Sequence, residues 1–519
     1  MILTLLHFND LHAQLDRLPL LAALVQRARQ EAHAEGRPVL LLDGGDSSDR
    51  SVWESDITKG RANFALLEAM GVQASVVGNG EALQWGRGAL EKLVASVHFP
   101  VLAANLVDCA DPTRLAVPGL KSGHLLELSP GAESEVSDPS GSRAGFGRHR
   151  EIPDSRRKGF KLGLVGLTAM YGRGYERYGY TAIDPLPVLK AEIAGLRELG
   201  AKTIILLSHL GYAPPEEKAR WANPDTFTDD LAAEACPEIA VILGAHSHTT
   251  LETPLRVNQT LILQAGEYGR CLGQLELELD EESGCVLEHR YTLHSTEGVA
   301  PDPTISAMLE LVREEAVRLM DTGVGEAAFD YPHYFDRPSP FGTLIADALR
   351  DICQADLTIF FSGFARAGLK AGPITRRHLY NAIPGSIHVS VAEVSGAQIR
   401  RMLEKMLASK YVTESFDPKR GDLPLGHPAI SSNVRLDYNM ARPPGERVTG
   451  CEIDGRPLND SGPYRLASTY YTLNDITDDP EYDFIGLAPG QLIENVQVEK
   501  VLWEIVEDWL RDHSPPGPQ

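Results

Sequence analysis

The chain has 519 residues and carries 49 Lys and Arg against 72 Asp and Glu, a formal charge of −23. That balance argues against a general role on nucleic acid or anionic membranes, which both require basic surface. A small anionic substrate stays open, because a local cation can reverse the sign of a site. With 43% apolar and 23% charged residues the composition is that of a soluble globular protein, and the length suits two or three domains.

Six cysteines (Cys109, Cys236, Cys271, Cys285, Cys353, Cys451) are widely spaced with no CxxC pair. This argues against a disulfide framework or a Cys-based zinc site and fits a reducing compartment. The opening MILTLLHFND offers too few apolar residues, and no basic start, for a signal-peptide core. No run of 18 apolar residues signals a membrane span. The expected location is the cytoplasm, with no membrane and no nucleic-acid partner; oligomeric state is left open.

In chain order, short apolar runs at Leu3–Phe8, Val39–Leu42, Ser75–Val77, Val101–Ala104, Leu162–Leu167, Thr203–Leu207 and Ala240–Leu243 read as buried strands. Amphipathic helical stretches such as Leu18–Glu31 and Leu186–Leu199 separate several of them, which predicts layered α/β architecture. Residues 129–158, rich in Ser, Gly and Arg, break the rhythm and read as a mobile insertion. A helical pattern over Thr304–Leu319, opened by Pro-Asp-Pro, reads as a connector within 301–325. A second α/β unit follows over 326–512, with helices at Leu344–Asp351 and Gln398–Leu407, and the Pro-rich tail 513–519 is expected to be disordered.

The chemistry stands at the ends of the runs. LTLLHF leads into Asp10 and His12, VLLLDGG into Asp46, ASVVG into Asn79, TIILLS into His209, and IAVILGA into His246 and His248. The carboxyl ends of strands are where α/β sheets place their ligands. Each motif alone has a dull reading, as a helix cap or a solvated turn. Their joint occurrence, in order and each after an apolar run, favours a centre for divalent ions such as Zn²⁺, Mn²⁺ or Fe²⁺, whose borderline character suits carboxylate, imidazole and carboxamide donors.

On these residues the chain resembles the 5′-nucleotidase family of calcineurin-like metallophosphoesterases, which includes 2′,3′-cyclic nucleotide phosphodiesterases. NDLH at 9–12, GGD at 44–46, GN at 78–79, SHLG at 208–211 and GAHSHT at 244–249 match the family's five blocks in order. AANLVD at 103–108, LGLVGLT at 162–168, QAGEYGRCLG at 264–273, FGTLIADALR at 341–350 and ITRRHLYNAIPGS at 374–386 extend the match. The resemblance implies a metallophosphoesterase β-sandwich flanked by helices over 1–300 and a C-terminal substrate-binding α/β domain that turns about the connector. It implies that Asp10, His12, Asp46 and His248 hold one metal, and that Asn79, His209 and His246 hold the other, with Asp46 shared. Two divalent ions would clamp a phosphoryl group and generate a hydroxide for in-line attack on a small phosphorylated substrate such as a nucleotide.

The family pattern also fails in places. Gly80 stands where the family has a catalytic histidine after the Asn ligand, and Leu83 or Gln84 where it has the partner aspartate. Loss of such a group costs ~10²–10⁴-fold in rate, more for an alkoxide than for an aryl oxide leaving group. Glu81 is the nearest substitute. In the second half Phe361-Ser362-Gly363-Phe364-Ala365-Arg366 keeps the arginine of the nucleoside loop, Pro340 replaces a further arginine, Gly385 replaces an aromatic, and Tyr470 or Tyr471 is the remaining stacking residue. The nearest acidic run after them is Thr477-Asp478-Asp479. Three readings follow in order: a two-metal hydrolase of nucleotides, with Asn79, Glu81 and Arg366 in its catalytic set and Arg366, Tyr470 and Tyr471 binding substrate; a hydrolase of another phosphoester or related ester; and a catalytically weak metal-binding regulatory protein.

Overall fold

The computed structural model describes residues 1–128, 159–171, 173–212, 214, 227–408, 425–473, 483–488, 491–493 and 500–513. The insertion expected at 129–158, the tail beyond residue 513 and the acidic run Thr477-Asp478-Asp479 lie outside them. The chain forms two compact units, Met1–Ala316 and Val317–Gln519, and the division falls within the helix Pro303–Met320 that the Thr304–Leu319 pattern foreshadows.

The first unit is built from β1 (Ile2–Phe8), β2 (Val39–Asp43), β3 (Ala74–Val76), β4 (Val101–Leu102), β5 (Leu106–Asp108), β6 (Gly123–Leu128), β7 (Phe160–Leu167), β8 (Tyr180–Ala182), β9 (Thr203–Ser208), β10 (Ile239–Gly244), β11 (Leu255–Val257), β12 (Thr260–Leu263), β13 (Cys271–Leu279) and β14 (Val286–Ser295). One sheet runs β14-β13-β1-β2-β3-β4, the other β11-β12-β10-β9-β7-β6, and β5 pairs with β8. Strands β1 to β4 pair parallel in the first sheet, as do β7, β9, β10 and β12 in the second. Parallel pairing is what connects each apolar run to the next through a helix.

Alternation decides which residues fill the space between the sheets. Leu3 and Leu5 of β1, Leu40 and Leu42 of β2, Leu162 and Leu164 of β7, Ile205 and Leu207 of β9, and Val241 and Leu243 of β10 form one core cluster. The opposite face of the second sheet, including Val165, Leu167, Ile204, Leu206 and Ile242, packs with Leu189 and Ile193 of the helix Pro185–Glu198 and Ala232 of the helix Asp229–Ala235. That two-sided burial is why these runs read as nearly continuous apolar strings.

The second unit has strands β15 (Gly323–Ala327), β16 (Leu357–Phe361), β17 (Gly372–Thr375), β18 (Val389–Ser395), β19 (Pro428–Ile430), β20 (Val434–Tyr438), β21 (Val448–Ile453), β22 (Arg456–Pro457), β23 (Pro463–Thr469) and β24 (Leu492–Ile493). Its main sheet has the order β19-β16-β23-β18-β24. The helix Pro340–Ile352 starts at Ser339, whose Oγ accepts from Gly342 N at 3.2 Å. Pro340 therefore sits where its fixed φ and missing N–H favour a helix start. The helix Leu502–His513 is tied down by Arg376, whose guanidinium donates to both Glu507 oxygens at 2.7 Å. Phe360 and Phe361 are fully buried in the core of this unit, and all six cysteines are free thiols.

Gly166 of β7 packs directly against Leu102 of β4 in the other sheet. A Cβ there would lie 2.2 Å from Leu102 Cβ and 3.0 Å from its carbonyl carbon. Gly166→Ala is expected to destabilise the protein by about 1–3 kcal/mol, the usual range for overpacking a tight core. Urea unfolding of the variant against the parent checks this, and an unchanged midpoint refutes it.

Candidate metal centre

Strands β1, β2, β3, β9 and β10 all end at the same edge of the first unit, and each delivers its donor in the next few residues. The turns are sharp. Asp10 (φ 49°), His12 (φ 45°), Asp46 (φ 50°), His246 (φ 70°) and His248 (φ 56°) all adopt the left-handed backbone region. Such conformations cost of order 1 kcal/mol or more each and persist only where neighbours over-determine them. Here the β1 and β2 loops brace each other, with Asp10 N donating to Gly45 O (3.0 Å), His12 N to Asp46 O (2.8 Å) and Ala13 N to Ser47 O (3.1 Å). Gly45 (φ 84°) permits the crossing, since a Cβ there would meet Val76 O at 2.7 Å and His209 Nδ1 at 3.0 Å.

The seven expected donors converge. Asp10, His12 and His248 form one group and Asp46, His209 and His246 another, with the donor atoms of each lying within 4.8 Å of one another. His12 Nε2 is 3.0 Å from His248 Nε2, and His248 Nε2 is 3.6 Å from Asp10 Oδ1. His209 Nε2 is 3.3 Å from Asp46 Oδ2 and 3.2 Å from Asn79 Oδ1. Asp46 Oδ2 also lies 3.8 Å from His12 Nε2, so this one oxygen faces both groups.

The donor chemistry fits divalent ions. His12 Nδ1 is 3.1 Å from Asp49 Oδ2, His248 Nδ1 is 2.5 Å from Glu267 Oε2, and His209 Nδ1 is 2.8 Å from Gly44 O. Each ring thus has its Nδ1 occupied and its Nε2 turned into the centre, the usual arrangement of a ligating histidine. Tyr268 stands edge-on to His12 (5.6 Å between centroids) and His248 (5.8 Å), and its N–H donates to Asp10 O at 2.7 Å. Sequence inspection noted the block containing Glu267 and Tyr268 but assigned neither, and it passed over Asp49.

The field inside the centre favours cations. Burial raises the pKa of Asp10. Burial likewise opposes charge on Asp46, but the adjoining His209 outweighs it and holds that carboxylate well below its ordinary value. Burial works against a charged His209 too, yet Asp46 and Asp10 push its pKa up to about 10. Burial and the neighbouring His209 hold His246 down to about 4, so its imidazole is neutral and ready to ligate. Beneath the β10 loop, Asp229 accepts from Ser208 Oγ (2.5 Å), while Gln264 Oε1 accepts from Ser247 Oγ (3.0 Å) and Thr249 N (3.1 Å). Burial pushes the Asp229 carboxyl up to about 7.

Glu81 does not point at this centre. It is 1% exposed, and its carboxylate accepts from Asp46 N (3.1 Å), Gly78 N (3.0 Å), Ser48 N (2.9 Å) and Ser48 Oγ (2.7 Å). As the third residue of the helix Asn79–Gln84 it ties that helix start to the β2 loop, so the substitute-acid expectation is replaced by a bracing role. Gly80 N donates to Asp46 Oδ1 at 2.6 Å, and a Cβ at Gly80 would lie 3.0 Å from the same oxygen. Gln84 and Leu83 are also committed, Gln84 Oε1 accepting from Arg50 N at 2.5 Å and Leu83 O from Tyr178 Oη at 2.9 Å. Glu81→Ala would leave three buried N–H groups without their acceptor. We expect a loss of about 2–4 kcal/mol in the metal-free protein, read from its denaturation curve; a variant as stable as the parent would overturn the bracing role.

In the second unit Tyr471 stacks with Phe364 (centroids 6.1 Å apart, planes 23° apart), and Tyr470 meets Tyr471 edge-on at 6.1 Å. Both tyrosines are more than one-third exposed, as a binding platform requires. Arg366, on the loop after Phe364, is exposed and makes no ion pair with a carboxylate among the described residues. Burial, and next the charge of Arg366, lower the pKa of His333, a neighbouring basic group that sequence inspection did not single out. Gly385 sits at φ 89°, a backbone state that suits glycine better than the aromatic expected there.

Two mixed sheets that present Asp, His and Asn donors at one edge form a candidate centre for divalent ions. The family model described as the 5′-nucleotidase C-terminal domain matches residues 320–478. The chain is 27% identical over 402 residues to an uncharacterized metallophosphoesterase of Bacillus subtilis, covering 77% of each chain. It is 24% identical over 525 residues to a 5′-nucleotidase of Diplobatis ommata, covering 90% of this chain and 81% of the relative. Among solved structures, the NAD nucleotidase of Haemophilus influenzae shares the fold with a TM-score of 0.54 at 16% identity, over 99% of this chain and 96% of the other. The chain is thus similar over most of its length to 5′-nucleotidases and metallophosphoesterases, with the 5′-nucleotidase C-terminal domain matched over residues 320–478.

Proposed function

We propose that this chain hydrolyses a small phosphoester, a nucleotide or cyclic nucleotide first, at a centre holding two divalent ions. The observation that carries the reading is the convergence of six donors into two groups that face a common Asp46 oxygen, with Asn79 Oδ1 beside His209 as the seventh. In this reading Asp10, His12, Asp46 and His248 hold one ion and Asn79, His209 and His246 the other. A bound pair supplies a Lewis-acid clamp for phosphoryl oxygens and an activated water. Asp46 is shared, its second oxygen steadied by Gly80 N, while neutral His246 donates without first losing a proton. Arg366 supplies the cation of the second unit, and Phe364 with Tyr471 an aromatic surface for a base. The nucleotide preference draws on the names of the relatives, and the free cysteines support a cytoplasmic setting.

Metal uptake and hydrolysis test this directly. The metal-stripped protein is expected to take up two equivalents of Mn²⁺ and then to hydrolyse p-nitrophenyl phosphate; neither uptake nor turnover would sink the proposal.

A second reading, hydrolysis of a non-nucleotide phosphoester or related ester, is favoured by Gly80 together with Pro340 and Gly385. A substrate panel decides between them, since AMP ahead of every aryl and sugar phosphate supports the nucleotide reading and the reverse order the second. If the missing imidazole limits the rate, Gly80→His should speed alkyl phosphate hydrolysis by about 10²-fold or more, and aryl phosphate hydrolysis less. Metal content is measured alongside, because of the 3.0 Å approach to Asp46. A fast parent enzyme that gains nothing from the change would exclude a decayed, weakly active protein.

A further inference from the structure

The two donor groups differ in what stands behind them. In the Asp10 group both imidazoles are backed by carboxylates, His12 by Asp49 at 3.1 Å and His248 by Glu267 at 2.5 Å. Those carboxylates are themselves fixed. Asp49 Oδ1 accepts from Ser51 N at 2.7 Å, and Glu267 Oε1 accepts from Arg270 Nη1 at 3.2 Å. Tyr268 wedges edge-on against both imidazoles, which limits their rotation. In the Asp46 group His209 is backed only by the neutral carbonyl of Gly44 at 2.8 Å. His246 neighbours the rings of His209 (5.2 Å) and Tyr171 (5.9 Å), and neither of its ring nitrogens is bonded to a carboxylate among the described residues.

A carboxylate on Nδ1 fixes the tautomer and ring orientation and strengthens Nε2 as a donor. It also adds negative charge close to the ion without occupying a coordination position. The Asp46 group lacks this support. Its His209 is fully enclosed, against 16% and 21% exposure for His12 and His248, while Asn79 and His246 are half-buried, so an ion held against His209 gives up more of its water. Both effects act in the same direction.

We infer that Asp49 and Glu267 are positioning residues that make the metal positions unequal, so that the Asp10–His12–His248 position holds its ion more tightly than the Asn79–His209–His246 position. The inference rests on the two-metal reading proposed above. It makes one ion a resident and the other the exchangeable member of the pair.

Calorimetric titration of the full-length, metal-stripped protein with Mn²⁺ alone tests it. The parent is expected to show two unequal dissociation constants. Glu267→Ala and Asp49→Ala should each raise the tighter constant about 10–100-fold, the usual cost of losing such a partner, and leave the weaker one within about threefold. Glu267→Gln, which keeps an acceptor oxygen but not the charge, should fall between Glu267→Ala and the parent, and it guards against a variant that folds poorly. Thermal unfolding of the metal-free variants should match the parent, which a merely structural role would not allow. Two equal constants in the parent, or variants that shift both constants alike, only the weaker, or neither, would overturn the inference. A parent protein that takes up no Mn²⁺ would instead overturn the two-metal reading beneath it.

Discussion

Asp10 and Asp46 stand almost wholly buried at the mouths of two adjoining strands, and their charges must be answered from within the protein because water does not reach them. Most of the architecture at this edge follows from that requirement. His246 N donates to both Asp10 oxygens at 3.1 and 2.9 Å, Asn9 Nδ2 donates to Asp10 at 2.7 Å, and Gly80 N donates to Asp46. His209 Nε2 lies 3.3 Å from Asp46 Oδ2. These bonds use backbone from β10 and from the loop after β3 to solvate carboxylates on β1 and β2. The two sheets are therefore joined through their ligands as well as through their apolar core.

The same requirement explains the backbone strain. A left-handed turn directly after a strand reverses the chain within one or two residues, which brings a side chain and an N–H to bear on the same neighbour. Asp10 uses its carboxylate for His246 N and its N–H for Gly45 O. Glycine at 45 is then a steric necessity, since the carbonyl of Val76 occupies the space a Cβ would take. The strain is concentrated in the ligand loops, where Asp10, His12, Ala13, Asp46, His246 and His248 all have positive φ and a dense set of hydrogen bonds maintains it.

Around Gly80 the structure gives the departures from the family pattern a physical meaning. The stretch from Gly78 to Trp85 is densely bonded. Glu81 gathers the N–H groups of the β2 loop, Gln84 takes Arg50 N, and Trp85 Nε1 donates to Asp56 at 2.8 Å, the same carboxylate oxygen that accepts from Arg50 Nε at 3.0 Å. What remains turned toward the centre from this stretch is Asn79 and the peptide N–H of Gly80. In the second unit Pro340 and Gly385 similarly serve the backbone, one at a helix start and one at a positive φ.

Seven strands of the first unit and the positions of the seven candidate donors were legible in the sequence because each depends on short-range pattern. Apolar runs of three to six residues mark buried strands, and a donor placed just past a run emerges at the sheet edge. The pairing of Phe364 with Tyr471 rather than Tyr470, the enclosure of Glu81, and the backing of His12 by Asp49 and of His248 by Glu267 were not legible. They depend on which loops lie side by side after folding, and on which of two oxygens or nitrogens faces which neighbour, at distances of a few tenths of an ångström. The order of apolar runs and donors along the chain is enough to bring carboxylates and imidazoles to this edge. That Glu81 is a brace and that the two donor groups are unequally supported emerges only on folding, because hydrogen-bond partnership among buried charges is set by packing across the chain and not by spacing along it.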